Sequence, residues 1–199
     1  MENKDKIILH LCADTGSDTK PYKEAGYDVR LIGSEIGVEN YHPPQNVYGI
    51  IANPPCTMFS IARGTRAKKP RDLREGMFLV QHCLRIIWEC MYDTPITTFT
   101  PSLKFWAIEN PATGMLKHFL GKPSYQYSPD EFGANWTKRT ALWGKFNEPH
   151  RPFFLRNKLV GKSIKETFTP MTVCDPKERM DLRSNAYEGF TKAFFNANQ

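Results

Sequence analysis

Residues 47–60 read VYGIIANPPCTMFS, and this stretch decides how the rest of the chain is understood. The β-branched and apolar residues from Val47 onward predict a buried strand over 47–53. Pro54 and Pro55 end it, because neither has a backbone N–H to give to a sheet and both hold φ near about −65°. Cys56 therefore stands on a stiff turn at the end of a strand. A free cysteine is usually a small buried residue, so Cys56 acquires a chemical reading only from its surroundings.

Working outward, KIILHLC (6–12) predicts a strand, and DTKPYKEAG (18–26) a helix that Gly26 ends. YDVRLIG (27–33) predicts another strand. Residues 74–92 place Met77, Val80, Leu84, Ile87 and Met91 at helical spacing, and LKFWAIEN (103–110) is again strand-like before Pro111. Strands alternating with helices predict an α/β fold of Rossmann-like type, mostly parallel, with helices on both faces of the sheet. Ligands of such sheets bind beyond the carboxyl ends of the strands. Asp14, Cys56 and Glu109 all fall at such ends.

The chain has 199 residues, enough for one domain with a small appendage. No run approaches the roughly 18 to 20 consecutive apolar residues of a membrane span, and MENKDKIILHLCADTG reads as a strand rather than an export signal. Cysteines at 12, 56, 83, 90 and 174 form no CxxC pair and no Cys/His zinc spacing. No metal site is expected, and reduced thiols in a cytoplasmic setting are. Cys83 and Cys90, seven residues apart on one helical face, are expected in the core. Net charge is +6, and RGTRAKKPRDLR (63–74) packs four arginines and two lysines just after the Pro-Pro-Cys turn. Such density suits a solvated loop and a phosphate grip equally. The segment 148–184 is polar, basic and irregular, and YEGFTKAFFNAN (187–198) predicts an amphipathic helix packing back on the domain. We therefore divide the chain into a domain over 1–147 and a short basic tail with a closing helix over 148–199.

In this order, NPPCTMFS, then WAIENP, then EFGANWTKRTALWG resembles the motif series of DNA cytosine-C5 methyltransferases, in particular the small forms of bacteriophages and mobile elements. The likeness covers residues 7 to 144. It implies a class I methyltransferase fold and a cytosine, flipped out of duplex DNA, as the substrate. Cys56 would add to C6 of the base. Glu109 would hydrogen-bond or protonate the ring at N3. Arg139, with Lys138 close behind, would serve the carbonyl or the thiolate. Pro55, Ser60, Arg63, Arg66, Asn110 and Pro111 would shape the substrate side. The implied setting is the cytoplasm of a bacterial or phage-infected cell.

The same resemblance implies S-adenosylmethionine, held by Cys12, Asp14, Thr15 and Gly16 after the first strand, by Glu35 at the ribose hydroxyls, and beside Asn53 and Pro54. This half of the pattern departs from the family: His10 stands where the family has Asp, and Asp14 stands where it has a glycine. Gly37 or Glu39 occupies the region of a further acidic anchor. Only 55 residues follow Gly144, so base reading would rest on HRPFFLRNKLVGK (150–162) and sequence specificity is expected to be relaxed or very short. Three functions remain open at this point. The first is a divergent methyltransferase. The second is a pyrimidine-modifying enzyme with another electrophile or a free nucleotide substrate. The third is a silent DNA-binding homologue.

Overall fold

The computed structural model describes residues 2–13, 15–63, 69–92, 102–152, 162–169 and 172–199. Its centre is a six-stranded sheet built from β1 (Ile7–Leu11), β2 (Asp28–Ile32), β3 (Val47–Ala52), β4 (Phe105–Pro111), β5 (Tyr125–Tyr127) and β7 (Thr140–Lys145), in the spatial order β2-β1-β3-β4-β7-β5. The first four strands are mutually parallel, whereas β7 runs antiparallel between β4 and β5. A small second sheet pairs β6 (Trp136–Thr137) with β8 (Lys162–Ser163).

β3 is buried almost throughout because both of its faces are covered. On one face Leu9, Leu11, Ile50, Ala52 and Ile108 pack against Val80, Cys83 and Ile87 of α2 (Leu73–Tyr92). Cys83 and Cys90 are both in the core, as their helical spacing predicts. On the other face Ile8, Ile51, Phe105 and Ala107 meet Tyr22 of α1 (Lys20–Glu24) and Phe190 and Phe194 of α6 (Glu188–Ala197). Gly49 is required here: it pairs with Phe105, and a Cβ at 49 would overlap the Phe105 ring.

The C-terminal helix belongs to this core. The Phe190 ring stacks on Tyr127 with centroids 3.7 Å apart, and Asn198 Nδ2 donates to the Asn147 carbonyl at 3.0 Å while Asn147 N donates to Asn198 Oδ1 at 2.8 Å. The helix predicted over 18–26 is shorter than its pattern, a 3-10 turn over Ser17–Thr19 followed by α1. Three further helices are α3 (Lys117–Leu120), α4 (Ile164–Thr167) and α5 (Pro176–Ser184). α5 interrupts a stretch read as irregular from its polar composition. Among the described residues no helix is long and apolar enough to cross a membrane.

Candidate active site

The carboxyl ends of β3 and β4 lie side by side, and the antiparallel β7 begins at the same edge because Thr140 pairs with Pro111. Topology alone thus brings Cys56, Glu109 and the Lys138–Arg139 pair to one end of the sheet. The turn carrying Cys56 is fixed from several sides. Asn110 is fully buried and its Nδ2 donates to the Pro54 carbonyl at 2.9 Å. Phe59 N and Ser60 N both donate to the Cys56 carbonyl, at 2.9 and 2.8 Å. Phe59 is itself fully buried, and its carbonyl accepts from Met115 N at 2.9 Å. Pro54 is buried whereas Pro55 and Cys56 are exposed.

Although Cys56 reaches solvent, protein atoms crowd its thiol enough for desolvation to be the largest influence on it. Desolvation and the charge of Glu109 raise the thiol above its usual range, while Lys138 and Lys165 oppose the rise. Glu109 follows Ala107 on the α6 face of β4 and lines a cleft with Asp18, Asn53, Tyr127, Lys138 and Thr140. It keeps a partly accessible surface, yet protein surrounds its carboxyl. Burial, reinforced by Asp18, raises it above the usual carboxylate range; Lys138 and a hydrogen bond from Asn53 work the other way. A carboxyl so placed holds a proton more tightly than a solvated one.

Of the two cations in the Thr-Lys-Arg-Thr motif, Lys138 lines the cleft and Arg139 is exposed outside its lining. Alternation of side chains in extended backbone explains this, since Lys138 and Thr140 share one side and Arg139 takes the other. Lys138 is therefore the cation on the cleft side and Arg139 the one outside its lining. The basic run also differs from expectation. Arg63 donates to the carbonyls of Thr57 at 3.4 Å and Pro70 at 3.1 Å, and also to that of Lys69. Arg71 donates to Ser60 O at 3.1 Å and to Met58 O. These two guanidinium groups brace the Cys56 turn rather than standing clear for phosphates. Arg66 lies outside the described residues, as does most of 150–162.

The positions expected to hold a methyl donor follow β1 and β2, which are adjacent and parallel. Asp14 lies outside the described residues. Cys12 has φ +56° and its Sγ lies 3.7 Å from Cys83 Sγ. Gly16 has φ +70°, and a Cβ there would press on Leu31 at 3.1 Å. Thr15 Oγ1 donates to Asn185 Oδ1 at 3.1 Å. Glu35 and Glu39 are exposed after β2. Leu31 thus packs beside the retained glycine, and the threonine is tied to the segment that precedes the C-terminal helix. His10 is 2% exposed and faces Thr19 and Asn53 rather than this loop. No group of three or more metal-ligating side chains occurs among the described residues.

The sequence did not point to Asp18, Tyr127 or the segment Ser184–Tyr187, which complete the cleft. Lys138 Nζ donates to Ser184 O at 3.5 Å, and Ala186 N to Ser17 Oγ at 3.3 Å. With this roof in place the free space is about 10 Å³, room for about one water molecule and not for a base. Compared with known proteins, the chain matches no family model and no curated relative.

Proposed function

We propose that this protein modifies cytosine in DNA at C5, through covalent addition of Cys56 to C6 of a base flipped into the Glu109 cleft. One observation carries the reading: a solvent-reaching thiol on a braced Pro-Pro turn stands outside the cleft lining yet within the electrostatic reach of the proton-retaining Glu109 and of Lys138, which do line it. The motif order adds the cytosine-C5 methyltransferase family as the closest chemical parallel, and with it duplex DNA as the substrate.

The chemistry follows from those groups. The Cys56 thiolate forms a bond to C6 as N3 receives the Glu109 proton, so that electron density is delivered to C5. An electrophile bonds to C5 as its leaving group departs with the bonding pair, a base removes the C5 proton, and elimination returns the thiolate while N3 gives its proton back to Glu109, which restores the ring. Lys138 stabilises negative charge on the thiolate and at the cleft mouth. S-adenosylmethionine is the electrophile that the resemblance implies. When bound it would supply the methyl group. A second reading, another electrophile at C5, is motivated by His10 and Asp14 standing where the resembled family has Asp and glycine.

The test is expression of the protein and of Cys56→Ala in cells lacking cytosine modification, followed by nucleoside mass spectrometry of their DNA. 5-Methylcytosine that depends on Cys56 is the expected product. A different Cys56-dependent base would establish the second reading, and a product made equally by the variant would overturn both.

A further inference from the structure

The cleft contains a buried polar chain that the chemistry above does not use. Ile8 and His10 on β1, Ile51 and Asn53 at the end of β3, and Ala107 and Glu109 on β4 alternate onto the same face of three adjacent strands. Asn53 takes the rung beside Glu109, and its N–H continues the ladder to Leu11 O at 3.0 Å. His10 Nε2 lies 2.9 Å from Asn53 Oδ1, and His10 Nδ1 lies 3.0 Å from Thr19 Oγ1. An amide oxygen only accepts, so Nε2 carries the imidazole proton. In the neutral ring Nδ1 is then an acceptor beside the Thr19 hydroxyl, which also lies within hydrogen-bond distance of the Gly16 carbonyl, at 3.2 Å. With Oδ1 committed to His10, the Asn53 amino group is the end left for the Glu109 carboxyl, which lines the same cleft and is held down by Asn53.

We propose that His10 and Asn53 are positioning residues for Glu109, the imidazole holding the Asn53 amide in the one orientation that donates to the carboxyl. This deepens the proposed function, since it assigns a task to the histidine that stands where the resembled family has Asp. Burial keeps the imidazole neutral, shifting its titration downward against the pull of Asp18, whose Oδ2 lies 3.8 Å from Nε2, and of Asn53. A neutral His10 therefore fixes the amide without adding a charge. The other groups facing Glu109 are Asp18 from the turn after β1, Tyr127 on β5, Lys138 ahead of β7 and Cys56 beyond β3. α6 presents Phe190, Thr191 and Phe194 to this region and no charge.

The experiment is a carboxyl-carbon NMR titration of the full chain labelled with ¹³C-glutamate, with Glu109→Gln identifying the resonance. Asn53→Ala removes a donor to the ionised form, so the Glu109 midpoint rises, by about one pH unit for a hydrogen bond to a charged group. His10→Ala frees the amide to turn its oxygen to the carboxyl, with a rise in the same direction. The double variant moves no further than Asn53→Ala alone. His10→Gln, whose amide N–H reaches Oδ1, returns the midpoint toward wild type. A midpoint unmoved in His10→Ala, or additive shifts in the double variant, overturns the proposal. Should His10→Ala not fold, Thr19→Val tests the same chain one link earlier, and an unmoved midpoint there overturns it as well. The titration needs no substrate. Shifted midpoints without Cys56-dependent product would sink the function alone, and product with unmoved midpoints would sink only this inference.

Discussion

Glu109 and Lys138 both act on the charge of Cys56. The carboxylate pushes the thiol up, and Lys138 pulls both groups down. Alkylation of Cys56 by iodoacetamide, followed by peptide mass spectrometry, reads the thiolate directly. Lys138→Met is expected to slow it and Glu109→Gln to speed it at the same pH, each by roughly three- to tenfold, the equivalent of half to one pH unit. Equal rates in all three proteins would show that the groups do not face one another. The proposed chemistry needs a thiolate together with a protonated Glu109. That pair carries the same total charge as the ionised carboxyl with a neutral thiol. The rate is therefore expected to be highest between the raised carboxyl titration and the raised thiol titration, falling outside that window on either side. The residue types of this site were legible in the motifs. The choice of Lys138 over Arg139 was not, because it depends on the face that the strand alternation presents to the cleft.

The strands and α2 follow from local pattern, and the shorter elements do not. β3 is an apolar run ended by two prolines, and α2 carries its buried residues at helical spacing, so both were visible. The basic run read equally as a solvated loop and as a phosphate grip, because composition does not reveal that Arg63 and Arg71 reach the carbonyls of Thr57 and Ser60 beside Cys56. At this scale the most exacting position is Gly49, where a Cβ would enter the Phe105 ring. Gly49→Ala is expected to destabilise the protein by about 1–3 kcal/mol through overpacking, measured by urea unfolding. An unchanged midpoint would mean that β3 and β4 are not in this register.

The whole molecule encloses two titrating groups with opposite effects on stability. His10 titrates lower in the folded protein than in the unfolded chain. Its contribution is therefore fully present above the ordinary histidine range and is lost as pH falls through it toward the lowered value. Glu109 titrates higher when folded, so its contribution is present below the ordinary carboxylate range and is lost as pH rises through the raised value. Urea unfolding of His10→Gln between pH 5.5 and 7.5 is expected to show a flatter dependence, lacking the gain that wild type makes as pH rises toward neutrality. A slope identical to wild type would place His10 in solvent. The C-terminal helix is part of the same assembly. Phe190 and Phe194 close one face of the sheet, and the Ser184–Tyr187 turn just before them roofs the cleft. What the sequence by itself determined was local: a parallel α/β sheet from alternating strand and helix patterns, and a thiol and a carboxyl at strand ends, because periodicity and proline act over a few residues. Only the tertiary structure decided which side chains share the cleft, that His10 serves Asn53, and that the tail covers the site. Those outcomes depend on strand order, register and long-range packing, which bring residues 10, 53, 109, 138 and 184 together although no short stretch contains any two of the first four.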